Sequence, residues 1–157
     1  MAAAAIDNPG FSLQACDWDL ACSAVNDGSL DYLAALPCSI EHIALLGPIR
    51  AGDILHLSTA LMTLIPDSDV PFDFDRYEAN DGTCADRLRR AWVKQFSRLH
   101  ETDGPNLFAA WVAAYEQEEH IEPAWHNAVE QDYGTKVITT CAAALANCTD
   151  LVMIWRL

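Results

Sequence analysis

The stretch Leu151-Val-Met-Ile-Trp-Arg-Leu157 is the part of the sequence on which the fold class depends. Six of its seven residues are apolar, a composition that suits either a final helical turn or a short buried strand. Hydrophobic periodicity does not separate the two for so short an apolar run. The fold class therefore has to be argued from the rest of the chain.

Helical spacing is the main signal upstream of this stretch, because apolar residues recur three and four positions apart. Ser12 is placed to cap a first helix, and Thr83 with Asp86 resembles a capping box at the start of a later one. That later helix carries a basic stripe, which consists of Arg87, Arg90, Lys94 and Arg98. Further helices are predicted at Leu30–Leu36, Ile40–Leu46, Ile54–Leu64 and Leu107–Tyr115. Two more are predicted to begin at Pro123 and at Thr135, and the second of these has Cys141 on its inward face.

These signals together predict an all-α fold. The expected architecture is a compact, irregular bundle of about seven or eight short helices, with a short C-terminal strand as the open alternative. A chain of 157 residues is expected to form one domain, here a single helical domain over residues 1–157. Within it, residues 1–11 are open to disorder, and residues 66–83 form a long acidic loop with two prolines and an Asp-Gly pair.

The distribution of charge is the strongest functional signal. The formal net charge is -14, Arg50 is the first lysine or arginine, and residues 101–135 contain neither. Such a field repels nucleic acid and anionic membranes and attracts basic surfaces. The sequence shows no membrane span and no signal peptide, so we expect a cytoplasmic protein. The six cysteines are then expected to be thiols, with Cys141 and Cys148 on one helix face.

Two acidic segments are predicted to bind a basic protein partner, since aromatic residues can anchor an interface and charges can steer association. The predicted partner-binding residues are Asp67, Asp69, Phe72, Asp73, Phe74, Asp75, Glu78 and Asp81 in the loop, and Glu116, Glu118, Glu119 and Glu122 further on. The alternative for the loop is an acidic surface whose aromatic side chains tuck into the core.

A second group of residues could support chemistry. Histidines and glutamates on facing helices can bind metals, and the candidates are Glu116, His120, His126 and Glu130. The ferritin-like Glu-x-x-His pattern is absent, so no metal and no cofactor are expected. Asp53, His56 and Ser58 could form a catalytic group only with distant partners, and no Gly-x-Ser-x-Gly motif supports one.

The favoured function is therefore that of a non-enzymatic acidic inhibitor. It would block a basic, nucleic-acid-binding or catalytic surface of a partner protein, as a nucleic-acid mimic does. The partner would be a toxin, which makes this an immunity protein, or a nucleic-acid-guided defence complex, which makes it anti-CRISPR-like. The alternatives are a metal-dependent helical enzyme and a structural subunit of a homo-oligomer that docks through Leu151–Leu157.

Overall fold

The computed structural model describes residues 11–26, 43–45, 51–68, 71–127 and 132–156. The elements are β1 (Phe11–Cys16), α1 (Trp18–Asn26), β2 (Ile43–Leu45), α2 (Leu55–Leu64), β3 (Phe74–Glu78), β4 (Thr83–Leu88), α3 (Arg90–Phe96), α4 (Gly104–Glu119), α5 (Tyr133–Ala146) and β5 (Asp150–Arg156). Short 3₁₀ helices at Ala51–Ile54 and Glu101–Asp103 precede α2 and α4. None of the helices in the described ranges is long and apolar enough to cross a lipid bilayer.

The fold is a mixed α/β fold built on an antiparallel sheet, so the all-α prediction is wrong. The strands lie in the order β2-β1-β5-β4-β3, and every neighbouring pair is antiparallel. The undecided stretch forms β5, which lies at the centre of the sheet between β1 and β4. Val152 pairs with Gln14 on one side and with Arg87 on the other.

Parts of three predicted helices are strands instead, and residues 124–127 of the helix predicted from Pro123 form turns. Ser12 lies inside β1 and caps nothing, whereas Asp17 caps α1 by accepting hydrogen bonds from the backbone nitrogens of residues 19 and 20. Thr83 and Asp86 lie in β4, and residues 43–45 of a predicted short helix form β2. Local spacing failed here because pairing with distant segments overrides weak local propensity.

The predicted long acidic loop contains β3, which forms a hairpin with β4. The turn between them includes Gly82, whose positive φ of 86° suits glycine. The basic stripe is also redistributed, because Arg87 lies in β4, Arg90 and Lys94 lie in α3, and Arg98 follows that helix. Residues 1–10, Asp69, Glu130 and Leu157 lie outside the described residues.

The sheet separates two apolar clusters of unequal size. Leu13, Leu151 and Met153 point to one face, where they pack with the side chains of α2, α3, α4 and α5. Val152 and Ile154 point to the other face, where they pack against α1. Because β5 is buried on both faces, it has the uninterrupted apolar sequence that left its conformation undecided.

The cysteines in the described ranges differ in their burial. Cys22, Cys84, Cys141 and Cys148 are free thiols. Cys141 is fully buried in α5, and burial raises the pKa of its thiol. Cys148 is exposed beyond the end of α5, in the left-handed region with φ of 53°, and so does not share the inward face of Cys141.

Two glycines allow α4 and α5 to cross at their first turns. A Cβ on Gly104 would clash with Oγ1 of Thr135 and lie 2.7 Å from the backbone nitrogen of that residue. A Cβ on Gly134 would clash with the carbonyl oxygen of Gly104 and lie 2.9 Å from its carbonyl carbon. The backbones of α4 and α5 therefore approach more closely at Gly104 and Gly134 than a residue with a Cβ atom would allow.

A buried carboxylate joins three strands. Asp86 is fully buried and accepts hydrogen bonds from Arg76 Nε at 2.8 Å and from Trp155 Nε1 at 2.7 Å. The guanidinium of Arg76 also lies 4.9 Å from the centre of the Trp155 ring, and its hydrogen bond to Asp86 raises the pKa of Arg76. This network anchors edge strand β3 to β4 and β5.

We predict that Gly104→Ala and Gly134→Ala each lower the free energy of unfolding by about 1–3 kcal/mol, despite the better helix propensity of alanine. The cause is the contact between added Cβ atoms and backbone. Urea denaturation will measure the loss. Gly52→Ala is the matched control, because nothing lies within 4 Å of its Cβ position. Equal stability of all three variants would contradict the close helix crossing.

We predict that Asp86→Ala destabilises the protein by about 2–3 kcal/mol, because it leaves Arg76 and the indole of Trp155 without their acceptor. Asp75→Ala is the control, since Asp75 pairs with Arg87 at 2.8 Å on the other face of the same two strands and is exposed. It should cost less than about 1 kcal/mol. Similar losses in urea denaturation would show that burial of Asp86 does not matter.

Candidate functional site

The acidic loop residues are mostly engaged within the protein. Asp67 pairs with Arg98 at 2.9 Å, and Asp75 pairs with Arg87 at 2.8 Å. Asp73 accepts a hydrogen bond from the backbone nitrogen of Phe74, and Asp81 accepts one from that of Thr83. Glu78 is exposed on β3. This segment therefore uses several of its carboxylates to stabilise the β3–β4 hairpin and its surroundings.

The two phenylalanines of the loop behave differently from one another. Phe72 is half-buried and packs edge-on against Trp92, with ring centres 5.3 Å apart. Phe74 remains partly exposed beneath the guanidinium of Arg76, which lies 4.8 Å from its ring centre. Phe72 thus belongs to the core, as the alternative interpretation of the loop expected, and Phe74 is accessible at the surface.

Arg87 and Arg90 of the basic stripe line a groove beside β3 and β4, together with Arg89 and several aspartates. Its volume is about 410 Å³, and its lining consists of Asp73, Phe74, Asp75, Arg87, Leu88, Arg89, Arg90 and Asp150. The three arginines face an equal number of aspartates. The groove is therefore close to neutral, and its arginines offset local repulsion within an acidic protein.

The second acidic segment lies at the C-terminal end of α4 and has no such compensation. We call Glu116, Glu118, Glu119 and Glu122 the α4 acidic end. Glu118, Glu119 and Glu122 are exposed, and Glu116 is half-buried. In the part of the chain that the structure describes, no lysine or arginine forms an ion pair with any of them.

The helix dipole adds to this negative charge. The carbonyl end of a helix carries a partial negative charge, so carboxylates there are unfavourable. Helix α4 ends at His120, which adopts the left-handed conformation with φ of 59°. The neighbouring N-terminal end of α2 offsets part of the repulsion, because residue 56 of α2 approaches Glu118 and Glu119. Negative potential is consequently concentrated at one corner of the protein.

A buried histidine lies under this corner. His56 is 4% exposed, and α2 places its ring against α4. Its Nδ1 lies 3.4 Å from Glu118 Oε2, and its Nε2 lies 3.4 Å from Glu119 Oε1. The edge of Tyr115 packs against the ring, with centres 5.2 Å apart. Nδ1 makes no hydrogen bond within the described structure.

Two exposed apolar side chains flank the site along the chain. Leu55 directly precedes His56 and is 54% exposed, and Ile121 follows Glu119 by two residues and is 65% exposed. Both are exposed side chains near the carboxylates in sequence, and a partner bound at the α4 acidic end could contact them.

The catalytic group considered from the sequence does not form. Asp53 accepts a hydrogen bond from Trp125 Nε1 at 3.2 Å, and its backbone carbonyl accepts one from Trp111 Nε1 at 2.8 Å. Ser58 Oγ accepts a hydrogen bond from Trp92 Nε1 at 2.8 Å. The partners of His56 are glutamates that sequence spacing could not connect to it, because they lie on another helix.

The described residues of the metal alternative have other surroundings than a shared metal site. His126 Nε2 lies 3.4 Å from Glu122, whereas His120 is exposed at the end of α4. Glu130 lies outside the described residues. Among the residues that the structure describes, no group of three histidine, cysteine, aspartate or glutamate side chains is arranged to hold a metal ion.

Comparison with known proteins found no match: no protein family, no curated protein and no solved structure resembles this chain. A role for the protein therefore has to be sought in the geometry of the α4 acidic end and in the chemistry of its side chains.

We predict that His56→Leu changes the free energy of unfolding by less than about 1 kcal/mol at neutral pH. The substitution removes a buried polar atom that lacks a hydrogen bond and keeps a side chain of similar size. Leu57→Ala is the control for burial on the same helix and should cost about 2–5 kcal/mol. A loss of several kcal/mol in His56→Leu would show that the imidazole has a mainly structural role.

Proposed function

We propose that this protein is a non-enzymatic inhibitor that binds a basic surface of another protein in the cytoplasm through the α4 acidic end. The observation that supports the proposal is the contrast between two sets of carboxylates. Asp67 and Asp75 have arginine partners within the protein, whereas the ion-pair partner of Glu118 and Glu119 among the described residues is a histidine. A cluster of exposed carboxylates without an arginine or lysine partner in the described ranges is suited to a basic partner.

Binding rather than catalysis is favoured by what the candidate catalytic groups contact. Asp53 and Ser58 accept hydrogen bonds from buried tryptophans and so contribute to the packing of α2. The alternative homo-oligomer would use the C-terminal apolar segment, yet Leu151, Val152, Met153 and Ile154 are buried within the sheet. The exposed apolar residues nearest the charges are Leu55 and Ile121.

Two roles fit this surface. In immunity to a toxin, the carboxylates would cover a basic catalytic or nucleic-acid-binding surface of the toxin. In an anti-CRISPR-like role, they would occupy the place of DNA or RNA phosphates on a nucleic-acid-guided defence complex. Both roles use long-range attraction to speed association, and exposed apolar side chains to slow dissociation.

A basic peptide of defined sequence tests the site even though the partner is unidentified. Fluorescent octa-arginine should bind the parent protein at low ionic strength, and its affinity should fall as salt is added. We predict that Glu118→Lys with Glu119→Lys weakens this binding about fivefold or more, which corresponds to about 1 kcal/mol. Fluorescence anisotropy at several salt concentrations will measure the effect.

The matched control is Asp19→Lys with Glu101→Lys. Both residues are exposed, and the pair produces the same change in net charge away from the α4 acidic end. It should weaken octa-arginine binding less than twofold at moderate salt, where distant charges are screened. If both pairs weaken binding equally, net charge alone attracts the probe and the proposed site is wrong.

A further inference from the structure

We infer that Glu118 and Glu119 bind a guanidinium or ammonium group of the partner, and that a proton on His56 competes with this cation. The inference rests on the proposed function and deepens it. It identifies the chemical group that the site takes and makes partner binding sensitive to pH.

The two nitrogens of His56 cannot both donate a hydrogen bond while the ring is neutral. A neutral imidazole has one N–H donor and one nitrogen lone pair. In this structure both nitrogens of His56 face carboxylate oxygens, each at 3.4 Å. With His56 neutral, one nitrogen must therefore direct its lone pair at a carboxylate. The imidazole and both carboxylates repel one another less when a positive charge is added. That charge can be a proton on His56 or an external cation.

His56 is buried, whereas the two carboxylates that it faces are exposed to solvent. The side chain of His56 is 5% exposed, and its Nδ1 has no hydrogen bond, so bulk water does not stabilise it freely. The side chains of Glu118 and Glu119 are 70% and 48% exposed and can be reached from outside. A ligand would thus contact the carboxylates while the imidazole lies beneath them.

Among the described residues, the surroundings of His56 contain no other positive charge that could serve. The groups that face His56 from α4 are Tyr115, Glu118 and Glu119. On the side of α2, the carboxylate of Asp53 is held by the indole of Trp125. No lysine or arginine in the described ranges pairs with either glutamate. Within these ranges, His56 is the basic group that lies against Glu118 and Glu119.

The geometry favours a side-chain cation over a metal ion. Glu118 and Glu119 approach different nitrogens of one ring, so ring and carboxylates do not converge on a point, and no metal-holding group occurs in the described ranges. A guanidinium can bridge two carboxylates because its donors form a planar fork. The aliphatic stem of an arginine or lysine could also pack against exposed Leu55 or Ile121.

Linkage between proton and cation follows from this competition. A protonated His56 offsets part of the charge of the two glutamates, so it weakens the attraction for a partner cation. Binding of the cation should therefore expel the proton, and affinity should rise with pH.

Isothermal titration calorimetry with octa-arginine tests the linkage. Titrations near pH 6.5, in two buffers of equal ionic strength and different ionisation enthalpy, report the protons released on binding. The parent protein should release protons, and its affinity should rise about threefold or more between pH 5.5 and pH 8. His56→Gln should release no protons and show no pH dependence.

Two further variants keep the test decisive. His126→Gln removes the other histidine that faces a carboxylate of the α4 acidic end, and it should behave like the parent. Glu118→Gln with Glu119→Gln alters only exposed groups, and it should abolish proton release even if His56→Gln fails to fold. Proton release that disappears in His126→Gln, or that persists without the two glutamates, overturns the inference.

The same titrations separate this inference from the proposed function. If octa-arginine binding depends on Glu118 and Glu119 but releases no proton, the inference is wrong and the proposed binding function stands. If octa-arginine does not bind the parent at any pH, the proposed function is wrong, and the inference falls with it.

Discussion

Pairing of β5 with both β1 and β4 is the constraint on which the rest of the structure depends. It satisfies the backbone of β5 on both edges, so its side chains can be buried on both faces of the sheet. Leu151 and Met153 then support the four-helix layer, and Val152 and Ile154 support α1. Antiparallel pairing also places β1, at the start of the described chain, beside β5, at its end.

The four-helix layer in turn builds the candidate site. The close crossing at Gly104 and Gly134 positions α4 against α5, and the opposite side of α4 packs on α2. The start of α2 meets the end of α4, since His56 lies 3.4 Å from both Glu118 and Glu119. His56 is thereby buried beneath Glu118 and Glu119, and the negative end of α4 projects into solvent.

Carboxylates of similar appearance in the sequence have different physical roles in the structure. Asp86 is buried and holds Arg76 and Trp155, and Asp75 forms an exposed ion pair with Arg87. Among the described residues, Glu118 and Glu119 have no arginine or lysine partner and lie against His56. Partner binding by two acidic segments stays a prediction, but the structure distinguishes the segments because it shows which carboxylates are already engaged within the protein.

The sequence by itself determined the charge of the protein, the approximate positions of α2, α4 and α5, and the acidic character of residues 116–122. These are local properties, since charge is a sum over residues and long helices carry their own periodicity. Only the tertiary structure decided that β1, β4 and β5 are strands, because a strand is stabilised by partners distant in the chain. For the same reason it alone placed His56, which has no local partner, beneath two glutamates of another helix.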